Sequence, residues 1–262
     1  MPYNPTVPDL LLLLPVTLIG LVVGSYLNVV VYRLPRGLST VTPGSSCPHC
    51  GEAVRALDNL PVVSFLALAG RCRSCRARIS WRYPLVELAT TGLFVACAWV
   101  FGQPAQAAVA ALFCALMLAL ALIDLEHMLL PDKLTLPGIA CGLALQPWID
   151  QVRILDAMLG TLIGAGLLIL LINVWYWWRE EEGMGLGDVN LLAMIGAFLG
   201  WQGVLVALFA GALAGALVGL ALMTVRRIDL TSKLPFGTFL AFGALIALFS
   251  RGRLVEAYLS LL

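Results

Sequence analysis

Apolar runs about as long as a bilayer is thick recur from one end of this chain to the other, and that recurrence leaves few folds open. A hydrocarbon core of roughly 30 Å takes about 20 helical residues to cross. Backbone N–H and C=O groups inside it must be satisfied within the segment, so such runs cross as helices. Runs at about 10–32, 85–101, 105–123, 134–149, 155–178, 188–200, 201–225 and 235–250 read as eight spans. Of the 262 residues, 61% are hydrophobic and 12% charged, which excludes a soluble globular domain. The expected fold is therefore all-α, a polytopic membrane helix bundle of about eight spans. The sixth run is short, and Gly200-Trp201-Gln202-Gly203 reads as a tight connection to the seventh. No Lys or Arg precedes the first run, so it lacks the basic start of a secretory signal peptide and is expected to remain as a helix.

One long polar segment interrupts the pattern. Residues 33–83 carry eight of the sixteen basic residues, four of the seven cysteines and several Pro/Gly turn signals, and read as a small domain outside the bilayer. Three parts follow: a first transmembrane helix over 1–32, this domain over 33–83, and a membrane core over 84–262. Placing 33–83 in the cytoplasm puts Lys133, Arg179, Arg226, Arg227 and Lys233 there too, thirteen basic residues against Arg153, Arg251 and Arg253 on the far side. By the positive-inside rule the amino terminus then lies across the membrane, with Asp124 and Asp188 at the cytoplasmic face. Trp175, Tyr176, Trp177 and Trp178 would sit at that interface. A net charge of +1, with Arg gathered in one short region, argues against a nucleic-acid surface. The Arg71 to Arg82 run suits either a topology signal or contact with anionic lipid head groups.

Cys47-Pro-His-Cys50 and Cys72-Arg-Ser-Cys75 are two C-x-x-C pairs separated by 21 residues, close to the spacing of four-thiolate zinc ribbons. Four sulfurs leave no open coordination position, so the metal expected is a structural Zn²⁺ held by Cys47, Cys50, Cys72 and Cys75. A polar segment of this length has few apolar residues for a core, and metal binding would supply its folding free energy. His49 reads as a bystander. Cys97, Cys114 and Cys141 lie in apolar runs and read as small core residues.

Carboxylates at the edge of transmembrane helices are costly and mark function. Ile123-Asp124-Leu125-Glu126-His127 closes the third run, Leu130-Pro131-Asp132 follows, and Gly183-Met184-Gly185-Leu186-Gly187-Asp188 opens the sixth. Two close carboxyls do not both ionise cheaply, so one can remain an acid while the other is a base, a pair suited to amide hydrolysis. Gly185 and Gly187 would let a substrate backbone approach. Helix capping is the competing reading for Asp188 and, more so, for Asp132, and periodicity alone does not rank Asp124 above Asp132. No βαβ pattern surrounds the glycine run, which sets aside a nucleotide loop. The alternative from another class is a cation-coupled membrane transporter with a regulatory zinc domain.

Taken together these segments resemble the bacterial prepilin peptidases, membrane aspartyl proteases of type IV pilus and type II secretion systems. The resemblance runs through Gly24-Ser-Tyr-Leu-Asn-Val-Val-Val-Tyr-Arg-Leu-Pro35, the two C-x-x-C pairs, Ile79-Ser-Trp-Arg-Tyr-Pro-Leu-Val-Glu-Leu88, Ala121-Leu-Ile-Asp124, Leu130-Pro-Asp132, Gly183 to Asp188, and Leu234-Pro-Phe-Gly237. It implies an inner-membrane enzyme whose catalytic pair is Asp124 and Asp188, with Asp132 returned to capping. It also implies prepilin or pseudopilin substrates cut after the glycine of a basic leader, then N-methylated from S-adenosylmethionine. The methyl-transfer residues are not carried over; Tyr26, Asn28 and Glu87 fit structural roles equally well. Asn190 stands where the family usually has Lys, and Thr238 where proline is common.

Overall fold

A computed structural model describes residues 10–149, 152–179, 185–225 and 234–250. Gly183, Met184, Arg226, Arg227, Lys233, Arg251 and Arg253 lie outside the described residues. The described chain is helical: α1 (Leu10–Arg33), α2 (Val63–Ala67), α3 (Arg82–Phe101), α4 (Pro104–His127), α5 (Asp132–Ala144), α6 (Ile154–Arg179), α7 (Leu186–Thr224) and α8 (Phe236–Ser250). Isolated bridges Ser46↔Ala53 and Arg71↔Arg78 are the only β pairings among the described residues. It divides into two compact units, Met1–Ala115 and Leu116–Leu262.

Every apolar run read from the sequence is helical, but among the described residues five helices are long and apolar enough to cross a membrane. The 13 residues of α5 and the 15 of α8 rise only about 20 Å, short of a hydrocarbon core. The sixth and seventh runs belong to one 39-residue helix, α7, broken at Gly200 (φ 70°, ψ −178°), backbone that only glycine adopts readily. Drawn out straight, 39 residues would reach about 58 Å, yet Asp188 and Met223, near its two ends, line one cavity. The chain therefore doubles back at Gly200, the connection that Gly200-Trp201-Gln202-Gly203 suggested. A break strands helix carbonyls, and the buried Gln146 amide donates to Ala197 O at 2.7 Å, just ahead of it.

In the first unit α1 packs on α3. A Cβ on Gly20 would stand 2.8 Å from Thr91 Cα, and one on Gly24 2.7 Å from Glu87 Cα, so this G-x-x-x-G pair brings the backbones together. Between them the polar segment sets the exposed Trp81 against the buried Phe65, ring centroids 4.8 Å apart. Val62 is held at φ 58°, costly for a β-branched residue, where its N–H donates to Glu87 Oε2 at 2.7 Å.

In the second unit α5, α6 and α8 all pack on α7. Gly160 and Gly164 repeat the spacing on α6: a Cβ on Gly160 would stand 2.8 Å from Gly196 O, and one on Gly164 2.6 Å from Leu192 O. The core is Leu191, Leu192, Met194, Ile195 and Phe198 from the first limb of α7, with Leu240 and Ala244 of α8. Cys97 and Cys114 are buried as expected, but Cys141 is exposed, because it points away from the face that α5 lays on α7.

Candidate active site and metal centre

Asp124 closes α4 on an inward-facing turn and is only 5% exposed. Its Oδ2 accepts the Thr238 N–H at 2.7 Å and lies 3.1 Å from the Thr238 hydroxyl, which is also 3.0 Å from Ala121 O. The first turn of a helix has N–H groups without intrahelical partners, and Asp124 takes one of those of α8. The Leu234-Pro235-Phe236-Gly237 element thus starts α8 so that its open end faces Asp124. Thr238, where proline would have no N–H to give, supplies two donors.

Asp188 sits in the first turn of α7, whose N-cap is Gly185 with no side-chain cap bond. Asp188 is therefore not the N-cap residue itself, but from the first turn its carboxyl reaches back to the Gly185 N–H, so it also ties down the helix start. Its partly buried carboxyl lies near enough to Asp124 to feel that charge. Asp132 is not a cap either: Pro131 is the N-cap of α5, and Asp132 Oδ1 accepts the Asn190 amide at 2.9 Å. Asn190 therefore latches the start of α7 to the start of α5, two residues beyond Asp188.

Leu130 is wedged between two glycines. A Cβ on Gly187 would stand 2.8 Å from Leu130 Cβ, and one on Gly237 2.8 Å from Leu130 Cδ1 and 3.1 Å from Asp124 Oδ2. Gly187 thus first makes room for the chain's own backbone, while Gly185 has nothing nearer than Gly187 N at 3.9 Å and opens outward. Both glycines and both aspartates line a cavity of about 1120 Å³, whose remaining wall is apolar residues of α7 and α8 such as Ala216 and Phe239. Sequence reading missed Thr238 as a donor, Leu130 as the wedge and the far cavity wall; the small residues spaced along 212–219 were the only local sign of the last.

The four sulfurs of Cys47, Cys50, Cys72 and Cys75 lie within 4.8 Å of one another. Each pair forms the same knuckle: Cys47 N–H donates to Glu52 O and Gly51 N–H to Cys47 O, and likewise Cys72 to Ala77 and Arg76 to Cys72. Gly51 (φ 72°) and Arg76 (φ 60°) hold the same left-handed turn. Cys47 and Cys75 Sγ are 3.8 Å apart, about the edge of a tetrahedron with Zn–S of about 2.3 Å. N–H groups of Cys50 and His49 lower the Cys47 thiol to about 6. Arg73 grips Asp58 at 2.6 and 2.8 Å and holds that carboxyl below its usual range.

For methyl transfer the polar groups noted in α1 and α3 are mostly committed. Tyr26 donates to Thr40, Glu87 accepts from Val62, and Asn28 donates to the Gly24 and Tyr83 carbonyls, leaving Asn28 Oδ1 as a buried acceptor without a partner. One open acceptor does not define a site for an adenosyl sulfonium.

Residues 18–101 match the bacterial peptidase A24 N-terminal domain, and residues 111–220 the type IV leader peptidase family. Three similar proteins are each named prepilin leader peptidase/N-methyltransferase. That of Burkholderia pseudomallei (strain 1026b) is 41% identical over 88% of this chain and 83% of its own. Those of Pseudomonas aeruginosa and Aeromonas hydrophila are each 39% identical, covering 92% and 94% of this chain and 91% and 93% of their own. No solved structure matches. Nothing in these relatives supports a transporter. With the paired carboxylates, the cysteine knuckles and these matches in agreement, the chain belongs to the type IV leader peptidase family.

Proposed function

We propose that this chain is an inner-membrane aspartic endopeptidase that removes the leader of type IV prepilins or type II secretion pseudopilins, and then N-methylates the new amino terminus. The observation that carries it is that Asp124 and Asp188, at the ends of two apolar helices, line one and the same cavity. One carboxylate takes a proton from a water, whose oxygen attacks the scissile carbonyl as the other, protonated, carboxyl donates to the carbonyl oxygen. Collapse of the tetrahedral adduct breaks the C–N bond, and the leaving amine takes a proton from the pair. Oδ2 of Asp124 is held by Thr238, which leaves the other oxygen to meet water, and Gly185 and Gly187 form the edge along which the substrate backbone runs.

The thirteen-to-three distribution of basic residues favours an N-out orientation, with the knuckle domain and the dyad at the cytoplasmic face. Trp177 and Trp178, largely exposed at the end of α6, suit an interfacial belt there. On this reading the three parts are 1–32, 33–83 and 84–262, the two limbs of α7 count separately, and α5 and α8, each shorter than a full hydrocarbon core, bring the passes to eight where the bilayer thins around them. The four cysteines would hold a structural Zn²⁺, and S-adenosylmethionine, when bound, would donate the methyl group; no step of that transfer is assigned to a named residue. The test is Asp124→Asn and Asp188→Asn in folded protein: each should lose cleavage of a prepilin-type substrate, and wild-type cleavage by either would overturn the assignment.

A further inference from the structure

The cavity is much longer than peptide hydrolysis requires. It runs from Asp124 and Asp188 past Met223 and Leu220 to Ala212. From Met223 to Ala212 along the second limb of α7, 11 rises of 1.5 Å span about 17 Å. Away from the two carboxylates its wall is apolar: Ala212, Ala216 and Leu220 make one exposed stripe on α7, faced by Phe239 and Leu234 from the α8 side. From this geometry we infer that the long arm of the cavity is a helix-docking groove, which receives the first two to three turns of the apolar segment immediately after the scissile bond. The inference rests on the peptidase reading above and extends it to the substrate's other side.

Three observations select this occupant. The groove lies along a helix long and apolar enough to cross a membrane, where an extended backbone would leave its N–H and C=O groups unsatisfied. Whatever fills it must be helical. A helix rises 1.5 Å per residue and 5.4 Å per turn, so an arm of about 17 Å takes about three turns of one. Small residues on the wall let a second helix approach closely, and the wall offers no charge to any polar ligand.

The test compares two substrates of one sequence: a full prepilin-type chain, and a peptide ending four residues after the scissile bond. Wild-type enzyme should prefer the full chain, and Ala216→Phe should reduce that preference about 10- to 100-fold through KM, the usual scale for a misfitted apolar pocket. Ala212→Phe, one turn deeper, should reduce it only for substrates whose apolar segment extends about eleven residues or more. Equal use of both substrates by wild type, or equal loss on both in the variants, overturns the groove while leaving the peptidase standing. Cleavage of neither by wild type overturns the peptidase reading and the groove with it. Should a phenylalanine variant fail to fold, a benzoylphenylalanine photoprobe at the exposed Leu220 should crosslink to the substrate's apolar segment, and a crosslink to the leader alone would overturn the proposal.

Discussion

Gly187→Ala adds a single methyl group one residue before Asp188 and should cost far more activity than stability. Its Cβ would stand 2.8 Å from Leu130 Cβ and 3.2 Å from Leu130 O, atoms that no rotamer change can withdraw. Ordinary carbon contacts begin near 3.5–4.0 Å, so the start of α7 must retreat by about 1 Å. Asp188 is carried with it, and a displacement of that size in a reacting group costs about 100-fold in rate. Stability moves less: overpacking costs about 1–3 kcal/mol, and up to about 1 kcal/mol returns from replacing a helical glycine. Gly185→Ala, in the same motif, meets nothing closer than 3.9 Å and should keep the dyad geometry, so any change there falls on KM. Single-turnover cleavage followed by intact mass, beside thermal unfolding in detergent, separates the two. Wild-type kcat in Gly187→Ala, or equal loss of kcat in both alanine variants, would refute the claim that Leu130 sets the position of Asp188.

Further expectations concern the cysteine domain and the α7 break. Cys72→Ser removes one of four thiolates and should lower the zinc content measured by atomic emission below that of wild type; full zinc with unchanged melting would sink the metal assignment. Arg76 occupies the left-handed turn that Gly51 takes in the matching knuckle. Arg76→Gly should therefore stabilise the domain by about 0.5–1 kcal/mol after glycine's extra unfolded freedom is subtracted, read as slower zinc loss to a chelator. Gln146→Leu removes the 2.7 Å bond to Ala197 O and strands a buried carbonyl, so melting should drop by the equivalent of about 1–3 kcal/mol.

What the sequence disclosed was local. Hydropathy is a property of consecutive residues, and each apolar run is a helix. The C-x-x-C pairs sit on turns of fixed geometry, so their spacing announced a four-sulfur cluster. Asp124 and Asp188 stood out because carboxylates at the edge of apolar runs need a reason. Contacts made across the chain were hidden. Thr238 reaches Asp124 over 114 residues, and Asn190 reaches Asp132 over 58. Asp132 looked like a cap because Pro131-Asp132 often begins a helix, yet its partner comes from another helix. Gly187 stood out as an opening for substrate, but that it also packs against Leu130 became visible only in the folded chain. Cys141 was read as core because its run is apolar throughout, and only the packing of α5 shows which side faces out.

The most direct test of the account is intact-mass analysis of a prepilin-type substrate incubated with the purified full chain, with and without S-adenosylmethionine. The account predicts loss of the leader in both and one added methyl group on the mature fragment when the methyl donor is present, both leader losses vanishing in Asp188→Asn. An uncut substrate, or cleavage that persists in that variant, would contradict it.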